Sequence, residues 1–84
     1  MSEKLIGKVN KYFAKIGVAA IDLEGTLKTG DTVHFKGAHT DFNQTIDSMQ
    51  VEHQSIPEAG PGAQVGIKVK DRVRPGDDVF VVTD

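Results

Sequence analysis

Short runs of alternating apolar and polar residues, separated by glycine-containing turns, follow one another along the whole chain. Each run has the length of a β-strand. No segment spaces its apolar residues by three and four over ten or more positions, as an amphipathic helix would. Asn10–Lys15 has room for one helical turn at most. The pattern therefore predicts an all-β protein, with strands near residues 4–10, 15–23, 32–36, 43–54, 64–70 and 78–82.

The clearest alternation lies between Gln64 and Arg74. One face of this segment is apolar and the other is basic. The apolar residues are Val65, Ile67, Val69 and Val73, and the basic ones are Lys68, Lys70, Arg72 and Arg74. If the backbone were extended throughout, the basic side chains would form a row about 20 Å long. Asp71 falls among the apolar positions, so the strand is expected to end or bend there. Gly66 predicts a bulge or a close backbone approach.

The predicted strand over residues 43–54 changes phase in its middle. Ile46 has an even residue number, whereas Met49 and Val51 have odd ones, so an uninterrupted strand would point them to opposite faces. A β-bulge near Asp47 and Ser48 would supply that shift. Bulges and glycine kinks also let a small sheet curve until its edges meet, which removes the exposed edges. We therefore expect residues 1–84 to form a single domain, a small closed antiparallel β-barrel of six or seven strands.

Composition supports this fold and excludes several functions. Val and Ile together number 16 against 3 Leu, a bias typical of strands. The absence of cysteine excludes disulfides and thiol nucleophiles and suits a reducing cytoplasm. No apolar run has the length of a signal peptide or a membrane span, so we expect a cytoplasmic protein that does not enter a membrane. The net charge of −2 does not impose non-specific binding to nucleic acid.

Catalytic and metal-binding motifs have little support in the sequence. No phosphate-binding loop is present, so nucleotide binding is not expected, and no serine lies in a nucleophile elbow. The candidate metal ligands are His34, His39 and His53 with Asp31, Asp41 and Glu52. They could meet in space, but their spacing matches no recognised metal signature. We expect a protein without catalytic activity, metal or cofactor.

The basic residues offer a candidate surface for RNA. Lysine and arginine on one strand face neutralise phosphates, and aromatic rings beside them stack on bases. The candidate residues are Lys68, Lys70, Arg72 and Arg74, and, near the start of the chain, Lys8, Lys11, Tyr12, Phe13 and Lys15. Alternatively, charges on an outer sheet face only keep the protein soluble and protect its edges from pairing.

Several motifs together resemble the second domain of the translational GTPases of the elongation factor Tu type. The most specific are the turn in Gly25–Val33 and the strand in Gly62–Ile67, and the resemblance covers about residues 5–82. Lys11–Ala19 and Asp41–Thr45 are most similar to free-standing translation elongation factor-like proteins. A similar barrel also ends some collagenase-like U32 peptidases. The resemblance implies a β-barrel of the translation-protein domain 2 type.

The resemblance implies a binding function for the chain. The partner would be tRNA, rRNA, the ribosome or a translation-related protein. Ala63 stands where the elongation factor commonly has an acidic residue near the terminal adenosine of tRNA. The alternative is a protein-docking module that acts in trans on a larger enzyme such as a U32-type peptidase. Binding to RNA would weaken steeply with salt, whereas docking through an apolar patch would tolerate it.

Overall fold

The computed structural model describes residues 2–83, in which every regular element is a β-strand. The ten strands are β1 (Ser2–Phe13), β2 (Val18–Leu23), β3 (Leu27–Lys28), β4 (Thr32–Lys36), β5 (Asp41–Thr45), β6 (Met49–Val51), β7 (Gln54–Ile56), β8 (Glu58–Ala59), β9 (Gln64–Lys68) and β10 (Asp78–Thr83). The all-β prediction is confirmed. Among residues 2–83 there is no helix with the length and apolar character needed to cross a membrane.

Eight of the strands form one antiparallel sheet in the order β5-β4-β10-β1-β2-β9-β6-β7. The other two, β3 and β8, pair with each other as a separate ribbon. Within the described residues, β5 and β7 are the end strands of the large sheet, and no ladder of backbone hydrogen bonds joins them. The predicted closed barrel of six or seven strands is therefore wrong in its strand number and in its closure, although its antiparallel architecture is right.

The predicted strand over residues 43–54 is divided into β5, β6 and β7. Ile46 leaves the large sheet and bonds to the turn before β4: its N–H donates to the Asp31 carbonyl at 2.8 Å, and its carbonyl accepts from Gly30 at 2.7 Å. The change of phase thus comes from a break in the strand rather than from the predicted bulge. Glu52 and His53 have φ of 52° and 66°, which closes the β6–β7 hairpin with a two-residue turn of type I′.

Bulges do occur, but in the long first strand. β1 skips Ile6 in its pairing with β10 and skips Asn10 in its pairing with β2. These shifts allow Ile6 and Val9 to be buried together although they are three residues apart. They also bend a strand of 12 residues, which lets it take part in a strongly curved sheet.

The curved sheet encloses sixteen buried apolar side chains. The inward residues of β9 and of the loop after it, Val65, Ile67, Val69 and Val73, are all among them, as the alternation predicted. Phe35 on β4 is fully buried and stacks on Phe42 of the edge strand β5, with ring centroids 5.1 Å apart. The core therefore reaches the end of the sheet.

The Gln44 side chain connects the edge strand β5 to the chain at the end of β9. The Gln44 side-chain amide donates to the Lys68 carbonyl at 2.9 Å, and its oxygen accepts from the Lys70 N–H at 2.9 Å. A neighbouring strand would offer a donor and an acceptor in the same way. The sheet thus curves far enough for its first strand to reach its sixth, and Gln44 supplies the contact where the backbone ladder is open.

We expect Gln44→Leu to lower the free energy of unfolding by about 1–3 kcal/mol, because it removes both hydrogen bonds and leaves two backbone groups without their partner. The free energy of unfolding of Gln44→Glu should lie between those of the natural chain and Gln44→Leu, since its carboxylate can accept from the Lys70 N–H but cannot donate to the Lys68 carbonyl. Urea unfolding followed by circular dichroism measures the difference. Asn43→Leu, an exposed position on the same strand, is the control. Equal stability of Gln44→Leu and Asn43→Leu would contradict a role for the side chain in joining the edges.

Candidate docking surface

The outer face of β1, β2 and β9 carries exposed apolar side chains. Ala19 and Ile21 on β2 are fully buried, so Val18 and Ala20, which alternate with them, face outward. Val18 has Phe13 of β1 opposite it on one side and Lys68 of β9 on the other. Directly opposed side chains in antiparallel strands lie within contact distance. The three strands thus place an aromatic, an aliphatic and a basic side chain in one row.

A second row crosses the same face one step along β2. Lys11 of β1 lies opposite Ala20, Ala20 lies opposite Gly66 of β9, and Gly66 lies opposite Gln50 of β6. The two central positions carry a methyl group and a hydrogen. The surface is therefore low here, between the basic side chain at one end of the row and the polar side chain at the other.

A groove of about 360 Å³ runs over this face. Phe13 and Ile16, at the β1–β2 turn, line one side and are 47% and 62% exposed. Glu52 and His53, in the β6–β7 turn, also line it. Two of the three large apolar side chains that are exposed within residues 2–83 therefore lie beside a single groove; the third is Leu5, 40% exposed and placed toward the other end of β1.

Gly66 lies within the groove rather than at the predicted bulge. Its pairing with Ala20 continues without a register shift. A Cβ atom built at Gly66 would meet the Val18 Cγ1 atom at 3.5 Å and the Gln50 carbonyl oxygen at 3.9 Å, both ordinary contact distances. The backbone thus does not require glycine here, and what the missing side chain contributes is open space.

Polar side chains border the groove at its next step along β2. The Asp22 carboxylate accepts from the Asn10 side-chain amide at 2.8 Å and from the Gln64 side-chain amide at 2.9 Å. These bonds connect the outer faces of β1, β2 and β9. The negative charge of Asp22 is therefore already engaged by two donors.

The predicted straight row of basic residues is not formed. β9 ends at Lys68, and beyond it the Lys70 N–H donates to the Gln44 side chain of the edge strand β5. The Lys70 ammonium lies 6.0 Å from the centroid of the Phe42 ring. Arg72 and Arg74 line a separate cavity of about 220 Å³, which Asp41 and Asp71 also line. The four side chains are exposed as predicted, but Lys68 and Lys70 line one cavity and Arg72 and Arg74 line another.

The predicted residues near the start of the chain also separate. Lys8 lies 4.0 Å from the Asp78 carboxylate, and Lys15 is exposed in the β1–β2 turn. Tyr12 packs against the core, so it does not present its ring beside Phe13. Lys11 and Phe13 face outward on the same side of the sheet as Lys68. One surface thus combines residues from the group near the start of the chain with one from the predicted basic row. Sequence reasoning missed the groove between them, because only the pairing of β2 with β9 brings its two sides together.

His34 connects three strands on another part of the surface. Its Nδ1 atom bonds to the Glu3 carboxylate of β1 at 2.9 Å, and its Nε2 atom bonds to Asp41 of β5 at 2.5 Å. These hydrogen bonds raise the pKa of His34 above its ordinary value of 6.5. The bond to Glu3 has the larger effect and the bond to Asp41 the next largest. The two carboxylates bind opposite ring nitrogens and so cannot share a metal ion with the ring. Within residues 2–83, no three candidate ligands are grouped to hold a metal.

Known proteins similar to this chain include two proteases. It is 36% identical over 80 residues to an uncharacterized protease of Methanocaldococcus jannaschii, covering 94% of this chain and 20% of that protein. It is 35% identical over 77 residues to a collagenase of Porphyromonas gingivalis, covering 89% of this chain and 21% of the collagenase. The chain therefore spans about one fifth of the length of these curated relatives. No protein-family model matches it.

Solved structures agree with this similarity. Two structures of the C-terminal domain of a Geobacillus thermoleovorans protein described as a U32 peptidase superimpose with TM-scores of 0.86 and 0.89. Their sequences are 26% and 25% identical to this chain, over 90% and 95% of its length and over 96% and 93% of the domain.

The similarity to translation factors covers less of the chain. Elongation factor 1-alpha of Methanothrix thermoacetophila is 42% identical over 57 residues, 63% of this chain and 13% of the factor. The resemblance seen in the sequence is thus supported in part. Over nearly its whole length, the chain is similar to the C-terminal domain of a U32-type peptidase.

We expect the free energy of unfolding to fall as pH rises above about 6.5, because the folded protein holds the His34 proton more tightly than the unfolded chain does. The stabilisation is complete below the unfolded pKa and is lost as pH passes the folded pKa. Urea unfolding between about pH 6 and pH 8 measures it. Glu3→Gln and Asp41→Asn should flatten the dependence, and His34→Gln should remove this contribution. An unchanged slope in His34→Gln would contradict the assignment.

Proposed function

We propose that this chain is a non-catalytic protein-docking module that acts in trans on a larger enzyme of the U32 peptidase type. The observation that carries the proposal is the match of nearly the whole chain to the C-terminal domain of a U32 peptidase, together with its match to about one fifth of two proteases. A chain with this fold is suited to occupy the surface on an enzyme that such a domain occupies.

The exposed apolar side chains support docking as the mode of action. Phe13 and Ile16 stand beside the groove on the outer face of β1, β2 and β9. Covering them with a partner would remove apolar area from water, at about 25 cal/mol for each Å². This contribution does not depend on charge, so the resulting complex tolerates salt.

RNA binding receives less support from the arrangement of the basic residues. A nucleic-acid backbone needs several cations along one path. Lys68 is separated from Arg72 and Arg74, which share their cavity with Asp41 and Asp71. Tyr12 packs against the core instead of offering a ring for stacking. We therefore do not expect RNA to be the partner, and the experiment below tests RNA binding as the alternative.

The test is binding of the immobilised full chain to a full-length U32-type peptidase from the same organism, at about 0.1 M and about 0.5 M salt. We expect binding at both concentrations. Phe13→Ser and Ile16→Ser should each weaken it about tenfold or more, because each removes a large side chain from the interface. Leu5→Ser is the matched control, since it removes an exposed apolar side chain away from the groove.

Failure of the peptidase to bind at either salt concentration would overturn the proposal. Binding of a tRNA mixture that falls steeply between the two concentrations would favour the translation hypothesis instead. If Leu5→Ser weakens peptidase binding and the two groove variants do not, the module docks through another face and the proposed surface is wrong.

A further inference from the structure

We infer that the groove over Gly66 binds an apolar segment flanked by carboxylates on its partner. The inference rests on the proposed function for the identity of that partner and adds the chemistry by which the partner is recognised. It depends on two features of the groove, the lysines beside it and the open space at its centre. It also depends on the lack of a matching surface on the acidic stretch of a second copy of this chain.

Two lysines are register neighbours of Ala20 and Val18, which line the groove, and one of them, Lys68, also lines a separate cavity. Lys11 stands opposite Ala20 on the β1 side, and Lys68 stands opposite Val18 on the β9 side. Within residues 2–83, neither ammonium lies within 4.0 Å of a carboxylate. Lys15 adds a further positive charge in the turn beside Ile16. A partner that brings carboxylates to these positions would gain ion pairs that the free chain does not make.

The groove contains one acidic side chain that is not already bonded. Asp22 lies at its border, but two side-chain amides hold its carboxylate. Glu52 lies in the β6–β7 turn, across the groove from Phe13 and Ile16. The positive charges therefore lie on β1 and β9, and the β6–β7 turn carries a single negative charge. Acidic residues of the partner are expected against Lys11 and Lys68 rather than against the hairpin.

Apolar side chains of the partner would occupy the centre. Val18, Ala20 and Gly66 form the central part of the groove, with Phe13 and Ile16 beside it. Its volume of about 360 Å³ is at the small end of the range for ligand clefts, which suits side chains better than a large molecule. Because Gly66 carries no side chain, an aliphatic group can approach the backbone of β9.

The acidic stretch of a second copy of this chain does not offer a matching surface. This stretch, residues 37–63, carries four acids and no lysine or arginine. The apolar residues of that stretch are turned inward, however: Ile46, Met49 and Ala59 are buried, and Phe42, Val51 and Ile56 pack against the core. The acidic stretch therefore has no large exposed apolar side chain to place in the groove. This favours a different protein as the partner.

Gly66 allows the groove to be filled without disturbing the core. The contacts of an added Cβ atom, at 3.5 and 3.9 Å, are normal, and φ at Gly66 is not in the left-handed region. Valine also favours strand structure. Gly66→Val should therefore fold as well as the natural chain while closing the centre of the groove, and Gly66→Ala should fill it in part. Thermal unfolding of both variants checks that the fold is kept.

The direct test uses the ¹⁵N-labelled full chain and a capped peptide with two leucines between pairs of glutamates. We expect amide shifts concentrated at Ala20, Gly66 and Lys68. Gly66→Val should abolish them, and Gly66→Ala should weaken binding to a lesser degree. The double variant Lys11→Glu, Lys68→Glu should weaken binding about tenfold, since attraction at two positions becomes repulsion. Lys28→Glu, an exposed lysine on β3, is the charge control.

A second peptide, with lysines in place of the glutamates, tests the charge assignment. Equal binding of both peptides would overturn the need for carboxylates. Shifts centred on another face, or binding unaffected by Gly66→Val, would overturn the groove itself. If purified natural chain self-associates and Gly66→Val abolishes that association, the occupant is a second copy and the inference is wrong.

The same variants separate this inference from the proposed function. If the peptidase binds the natural chain and Gly66→Val equally well, docking stands and the groove assignment is wrong. If the glutamate peptide binds in the groove but the peptidase does not bind, the groove chemistry stands and the proposed enzyme partner is wrong.

Discussion

The whole structure depends on one sheet burying its apolar face against itself. Sixteen apolar side chains must leave water, and within residues 2–83 there is no helix to cover them. The sheet therefore curves, with bulges in β1 and a break before β6. The curvature brings its first strand to its sixth, where the Gln44 side chain makes the bonds that a further strand would make. A flat sheet of these strands would leave its apolar face in water.

Curvature also decides which surfaces are available for binding. Since the inner face is occupied by the core, contact with other molecules is left to the outer face, the turns and the sheet edges. On that face, the pairing of β2 with both β1 and β9 assembles apolar side chains from distant parts of the sequence beside two lysines. The edge at β5 is already engaged by the loop after β9. The groove over Gly66 is thus a consequence of how the sheet is closed.

Sequence reasoning succeeded where the evidence was local. Alternation correctly predicted strands and the inward direction of Val65, Ile67, Val69 and Val73. It failed over residues 43–54, because a change of phase has the same pattern whether a bulge or a broken strand produces it. It also failed for the basic row, since β9 ends where Gln44, 24 residues away, captures the backbone of Lys68. Nothing near Lys68 in the sequence signals that contact.

By itself, the sequence determined the all-β class, the inner and outer faces of its clearest strand and a resemblance to two kinds of larger protein. These properties follow from side-chain periodicity and residue type, which act within a few residues. Only the tertiary structure decided that Tyr12 packs inward, that Lys68 and Lys70 lie at a different cavity from Arg72 and Arg74, and that Phe13 and Gly66 lie at one groove. Those outcomes depend on strand order and register, which are set by burying one shared core and not by any single segment.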